Sequence, residues 1–112
     1  MERRKRIRYA LLARAEFRWE TRDGTVLKGQ GFTRDISSHG AYVYSELQPP
    51  TGTDLDIDIL LPTVLEPYGT LRMSGSTKVI RVELSVIDEH FGGFVAQSDS
   101  YELWEDLADF LK

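Results

Sequence analysis

The chain has 112 residues, 41% of them hydrophobic and 29% charged, which is the size and composition of one globular domain. It has no cysteine, so disulfides, thiolate catalysis and cysteine metal sites are excluded, and no apolar run approaches the ~18 residues that a membrane span requires. The apolar stretch after the basic start is too short for a secretory signal. We therefore expect a cytoplasmic protein that does not insert into membranes.

The net charge of −4 is distributed unevenly along the chain. The first fourteen residues hold six basic side chains and one acidic side chain, a charge of +5, so the remaining residues hold −9. The pattern predicts a flexible basic arm over residues 1–9 and a single folded domain over residues 10–112. A positive segment on an acidic body points to an anionic partner that is bound at one place.

The first predicted strands form a hairpin. Apolar and charged residues alternate over residues 13–20, which is typical of a half-buried strand. The Asp23-Gly24 pair favours a tight turn into a return strand over residues 25–33. Gly29 and Gly31 in that strand leave room for another backbone or a ligand to come close.

Further short strands follow the hairpin. They are predicted, in chain order, over residues 41–44, 55–61, 72–83 and 94–96, with proline-containing loops at residues 48–52 and 65–69. Residues 84–87 either extend the third of these strands or turn back on it. Asp54, Asp56 and Asp58 alternate with apolar residues but lack the glycine and closing glutamate of a calcium loop, so we expect them on the solvent face of a strand.

The apolar period becomes helical near the end of the chain. Leu103, Trp104 and Leu107 fall on one helical face, and acidic residues occupy the early turns, where the helix dipole favours them. With Asp99 or Ser100 as the N-cap, the sequence predicts a helix over about residues 100–111. Short strands followed by one helix predict an all-β-dominated fold, a small antiparallel β-barrel with one C-terminal α-helix.

Two short motifs contain the side chains best suited to bind an anion. In the first, Arg4 and Arg8 reach the same side of the arm whether it is extended or forms a turn. Guanidinium groups present paired donors that match phosphate oxygens or the O6/N7 edge of guanine. Taken alone, such a pair is more often part of a solvated basic terminus.

The second motif is Asp35-x-Ser37-x-x-Gly40. The Asp35 carboxylate suits the N1–H and exocyclic amine of guanine, the Ser37 hydroxyl suits a phosphate or braces a turn, and Gly40 lets the backbone approach a ligand. Taken alone, this spacing is more often a plain turn between strands, in which the glycine supplies a positive φ.

Together, and in this order, the two motifs resemble the Arg-x-x-x-Arg arm and the Asp/Asn-x-Ser-x-x-Gly loop of the PilZ domain family. The segment Gly93-Phe94-Val95-Ala96 also resembles the closing strand of that family, so the likeness covers essentially the whole chain. The resemblance implies a six-stranded split barrel and a bacterial receptor or adaptor for the second messenger cyclic di-GMP. The ligand-binding residues that it implies are Arg3, Arg4, Arg8, Asp35, Ser37 and Gly40.

Three further side chains have open roles under this resemblance. His39 stands where many members of the family carry a glycine, and it lies either on the surface of the loop or over the ligand. Arg72 and Arg81, on later predicted strands, are candidates for contact with a second guanine.

Other functions have less support in the residues. No pairing of a nucleophile with a base, phosphate-binding glycine loop or metal-ligand cluster is evident, so we expect neither an enzyme nor a metal or other cofactor. The acidic body, and the lack of aromatic residues among the charges of the arm, argue against nucleic acid as the partner. The main alternative is a protein-interaction module of PilZ type that does not bind nucleotide. A downstream protein partner is expected with either function.

Overall fold

The computed structural model describes residues 9–37, 39–61, 69–84, 92–98 and 102–107. The strands within these ranges are β1 (Tyr9–Ala10), β2 (Arg14–Glu20), β3 (Val26–Ser37), β4 (Gly40–Ser45), β5 (Asp54–Leu61), β6 (Gly69–Leu84), β7 (Gly92–Gln97) and β8 (Glu102–Leu107). The described part of the chain holds no helix with the length and apolar character needed to cross a membrane.

Six of the strands close into an antiparallel barrel. Around the barrel their order is β3-β2-β5-β6-β7-β4, and β4 pairs with β3 again, which closes the ring. β1 continues the line of β2 along β3, and β8 pairs with the first part of β6, which β7 does not reach. This arrangement confirms the small six-stranded antiparallel barrel predicted from the sequence.

The core lies inside the barrel and is built from alternate residues of each strand, because successive side chains of a strand point to opposite faces. Its aromatic members are in direct contact: the rings of Phe17 and Phe94 meet edge to face at 5.0 Å, and those of Phe17 and Trp19 stack at 6.0 Å. The buried cluster comprises Ala13, Ala15, Phe17, Trp19, Ile36, Ala41, Val43, Leu55, Ile57, Ile59, Val79, Phe94 and Ala96.

Gly24 and Gly31 of the first hairpin have the roles that the sequence predicts, whereas Gly29 accommodates a side chain. Gly24 has a φ of 87°, as a tight turn requires. The space beside Gly29 and Gly31 is filled by the chain itself. A β-carbon at Gly29 would lie 2.6 Å from the Phe17 ring, and one at Gly31 would overlap the carbonyl oxygen of Tyr44. Gly31 therefore permits β3 and β4 to approach each other closely.

The return strand is longer than predicted. β3 continues through Asp35 and Ser37, which the sequence analysis assigns to a turn. The register between β3 and β4 shifts between Thr33 and Asp35, so Arg34 is the extra residue of a β-bulge. The bulge explains why the apolar alternation is broken there although the strand goes on. β6 likewise begins earlier than predicted, at Gly69, and it ends at Leu84, while residues 85–87 lie outside the described residues.

The predicted C-terminal helix is wrong over Glu102–Leu107, which form β8; the rest of its range lies outside the described residues. β8 pairs with β6 from Gly69 to Ser74, along the edge of β6 opposite β5. A strand edge presents a row of backbone donors and acceptors that favours pairing with another strand. Such pairing between distant segments overrides a local helical pattern.

Candidate functional site

The bulge in β3 brings two residues of the second motif to the outer face of the barrel. Asp35 and Ser37 are separated by Ile36, whose side chain lies in the core. Because side chains alternate along a strand, Asp35 and Ser37 both point away from the core. Across the sheet, Asp35 is opposite Tyr42 of β4, and Ser37 is opposite Gly40 of the same strand. All three residues of this motif therefore lie together.

The same outer face extends over β7 and β6. Tyr42 is opposite Val95, and Val95 is opposite Arg81. Neighbouring strands lie about 4.8 Å apart, so Arg81 is about 14 Å from Asp35 across three strand spacings. Arg72, by contrast, lies on the wall beside β5, with its Nε 3.9 Å from Asp58 Oδ1. Of the two arginines considered for a second guanine, Arg81 is the one on the face that carries Asp35.

The described chain begins directly beside the second motif. In β1, Tyr9 is opposite Ile36 and Ala10 is opposite Asp35. The first motif, with Arg3, Arg4 and Arg8, lies outside the described residues. Arg8 is the residue that directly precedes Tyr9 in the sequence.

Thr33 fastens the segment between β1 and β2 to β3. Its hydroxyl donates to the Leu11 carbonyl and accepts from the Ala13 N–H at 2.9 Å, and its own N–H donates to the Ala13 carbonyl at 2.8 Å. Thr33 is fully buried. The sequence gives no signal for this role beyond a polar residue at an inward position of β3. Thr33 therefore helps to hold the start of the barrel against the motif.

The Asp35 carboxylate accepts a hydrogen bond from Arg34, its neighbour in the bulge. The Arg34 Nε donates to Asp35 Oδ2 at 2.7 Å, and this hydrogen bond raises the pKa of the Arg34 guanidinium. The Asp35 side chain is only 14% exposed, against 46% for that of Arg34. The guanidinium carbon also lies 3.8 Å from the centre of the Tyr42 ring, a cation–π contact. No pattern in the sequence marks Arg34 as part of the site.

The Tyr42 ring packs against the Arg34 guanidinium. Its hydroxyl donates to Glu83 Oε1 at 2.7 Å, and burial, followed by this contact, raises the pKa of Tyr42 to about 12. The ring covers Gly93 on β7, where a β-carbon would collide with it. The ring of Tyr44, two residues further along β4, meets the Tyr42 ring edge to face, with the ring centres 5.3 Å apart. Tyr42 is thus a barrel-wall residue, but it packs on the outside of the barrel.

Ser37 and Gly40 have structural roles in the turn between β3 and β4. Ser37 is buried, and its Oγ accepts from the His39 N–H at 3.2 Å, which braces the turn. Gly40 does not have the positive φ expected of a turn glycine; Gly24 and Gly52 are the glycines with positive φ among the described residues. A β-carbon at Gly40 would lie 2.7 Å from the Ala96 carbonyl oxygen, so glycine is required for close approach of β4 and β7.

A shallow cavity of about 210 Å³ adjoins this turn. His39 lines this cavity and also a larger one, of about 900 Å³, at the adjacent end of the barrel. The walls of the smaller cavity include Ser37, His39, Gly40, Ile80, Val95 and Gln97. His39 therefore lies next to the candidate site, at the rim of the barrel.

The acidic alternation of β5 is a solvent face, as predicted. Asp54, Asp56 and Asp58 pair with Lys78, Arg18 and Arg72 on the neighbouring strands, at 3.1, 3.7 and 3.9 Å. Within the described ranges, no group of three or more histidine, cysteine, aspartate or glutamate residues is arranged to hold a metal ion.

Comparison with known proteins identifies a similar fold. No family model and no curated protein matches the sequence. Among solved structures, the chain is similar to the Bacillus subtilis inhibitor of motility MotI/DgrA, with a TM-score of 0.67 and 18% identity, over 91% of this chain and 45% of that one. This chain thus spans less than half the length of that protein. At this identity the likeness is one of fold, and it supports a PilZ-like fold.

Proposed function

We propose that this chain is a cytoplasmic receptor or adaptor that binds cyclic di-GMP and is not an enzyme. The ligand would lie on the outer face of the barrel, between the basic arm and the Asp35-to-Gly40 segment. The observation that carries the proposal is the pairing of β1 with β3, in which Ala10 is opposite Asp35. Arg8 and Asp35 are twenty-seven residues apart in the sequence, but Tyr9, the residue after Arg8, is opposite Ile36, the residue after Asp35.

The proposed contacts follow from the chemistry of the ligand, which carries two phosphates and two guanines. Arg4 and Arg8 would each donate two hydrogen bonds from the guanidinium group to phosphate oxygens or to guanine O6 and N7. Arg3 would supply a third guanidinium group. Asp35 would accept from the N1–H and exocyclic amine of a guanine. Ser37 and Gly40 would shape the turn so that the backbone can approach the ligand.

The number of contacts is sufficient for the expected affinity. Micromolar binding requires about 8 kcal/mol after the cost of ordering the arm. Hydrogen bonds to charged groups each contribute about 1.5–3 kcal/mol. Two or three bidentate arginines together with the Asp35 contact reach this range, whereas a single arginine does not.

Isothermal titration with cyclic di-GMP tests the proposal. We expect the wild type to bind, and Arg4→Ala, Arg8→Ala and Asp35→Ala each to weaken binding by about tenfold or more. Arg18→Ala is the matched control, because Arg18 is an exposed arginine on β2 that belongs to neither motif and lies 3.7 Å from Asp56. It should bind within about twofold of the wild type. Absence of binding by a folded wild-type protein would refute the proposal.

The alternative of a protein-interaction module without nucleotide binding is favoured by one feature. Phe32 and Tyr44 are cross-strand partners on the outer face, and they are 50% and 39% exposed. An exposed aromatic pair of this kind is common in protein contacts. The same titration separates the two functions, since the alternative predicts no heat of binding with cyclic di-GMP. If the ligand does bind, this pair is a candidate contact for the downstream protein.

A further inference from the structure

Arg34 and Asp35 form a pair whose chemistry resembles that of the proposed ligand contact. The Nε–H of Arg34 donates to one oxygen of the Asp35 carboxylate at 2.7 Å. The Asp35 side chain, at 14% exposure, is largely covered. A ligand that uses both oxygens of this carboxylate must therefore approach one that already accepts a charge-assisted hydrogen bond.

Guanine and the guanidinium group offer a carboxylate the same kind of donors. Guanine presents its N1–H beside its exocyclic amine, and together they match the two oxygens of one carboxylate. Arginine presents Nε–H beside an Nη–H in the same planar fork. Guanine and guanidinium therefore compete for the same acceptor. Each binds a carboxylate best when it donates to both of its oxygens.

We propose that Arg34 is an internal competitor of the ligand for the Asp35 carboxylate, so that a guanine of the ligand displaces the Arg34 guanidinium when it binds. This inference rests on the proposed function and deepens it. Arg34 is thereby a residue that sets the affinity of the site. It lowers the affinity for a guanine ligand, while it donates to the largely covered carboxylate in the absence of that ligand.

The surroundings of Arg34 allow such a displacement. Its side chain is 46% exposed and extends from the extra residue of the bulge, so its movement does not disturb the pairing of Asp35 with Tyr42. The guanidinium also rests on the Tyr42 ring, at 3.8 Å from its centre. This cation–π contact lies beside the carboxylate and offers the displaced group a place on the same face.

The decisive variant is Arg34→Met, which keeps a long apolar stem over the Tyr42 ring but has no donor. We expect it to bind cyclic di-GMP at least about threefold more tightly than the wild type in isothermal titration. The loss of a positive charge would by itself weaken the binding of an anion, so tighter binding identifies the removal of a competitor. Arg18→Met is the matched control for that charge, and it should bind no more tightly than the wild type.

A second measurement follows the displaced group in the wild-type protein. The Nε–H signal of Arg34 in a ¹H–¹⁵N spectrum should shift and exchange faster with water when cyclic di-GMP is added to saturation. This readout does not depend on the folding of a variant. An unchanged Arg34 signal at saturation, or unchanged or weaker binding by a folded Arg34→Met protein, overturns the inference while the proposed function stands. If neither the wild type nor Arg34→Met binds, the proposed function fails, and this inference fails with it.

Discussion

At the scale of single residues, the candidate site is organised around Tyr42. Its ring lies under the Arg34 guanidinium and over Gly93, and its hydroxyl reaches Glu83 on β6. It thereby connects four strands on the outside of the barrel. An aromatic ring against a strand glycine fills the space that the missing side chain leaves. The orientation of Arg34, and through it that of Asp35, depends on this ring.

The environment of Tyr42 predicts a pH dependence of stability. Its pKa is raised from 10.0 to about 12 in the fold, so the folded state favours the protonated phenol. This contribution to the free energy of unfolding should be fully present below pH 10 and be lost as the pH rises towards about 12. Tyr42→Phe should lower the free energy of unfolding by about 1 kcal/mol at neutral pH. It should also reduce the loss of stability at alkaline pH. Urea unfolding across this range is the measurement, and equal alkaline losses in both proteins would contradict the assignment.

At the scale of the elements, the bulge in β3 and the short strand β1 determine the surroundings of Asp35. If Arg34 were paired in a regular ladder instead of being the extra residue of the bulge, the register of β3 beyond Thr33 would shift by one and Asp35 would point into the core. β1 contributes only Tyr9–Ala10, so its attachment depends on contacts next to it. The hydroxyl of Thr33 supplies two of these, to Leu11 and Ala13.

Thr33→Val therefore tests whether this attachment matters for binding. The change preserves shape but leaves the Ala13 N–H without the hydroxyl acceptor, so we expect a loss of about 1–3 kcal/mol in unfolding free energy. It should also weaken cyclic di-GMP binding severalfold, because the attachment of β1 to β3 beside Asp35 is weakened. Thr77→Val is the matched control: its buried hydroxyl donates to the Leu55 carbonyl at 2.9 Å, away from β1. It should reduce stability without changing affinity. Equal affinities for the two variants would argue against the role of β1.

At the scale of the whole molecule, the separation of charge is the main feature. The first fourteen residues hold +5 and the remaining residues hold −9, so an anion is repelled by the net charge of the larger part. Much of the described surface charge is neutralised locally, as in the three ion pairs along β5. The net positive charge is therefore concentrated at the start of the sequence.

This separation predicts that binding of cyclic di-GMP weakens with salt although the protein is acidic. Raising the NaCl concentration from about 0.05 M to about 0.5 M shortens the screening length, and we expect a severalfold loss of affinity by titration. The double variant Arg4→Gln/Arg8→Gln should bind weakly with little salt dependence, whereas Arg18→Gln should retain the dependence of the wild type. Salt-independent binding by the wild type would show that the arm does not carry the attraction.

The sequence by itself determined the features that depend on neighbouring residues. The strands were predictable because burial of one face imposes a period of two, as in β2 and β5, and the Gly24 turn because few residues accept its φ. The charge separation and the residues of both motifs could likewise be identified from the sequence. Only the tertiary structure decided that Glu102–Leu107 form a strand and that Arg34 occupies a bulge against Asp35. The first depends on β6, a partner distant in the sequence, because a backbone edge accepts whichever segment the fold brings beside it, and the second depends on the register between β3 and β4.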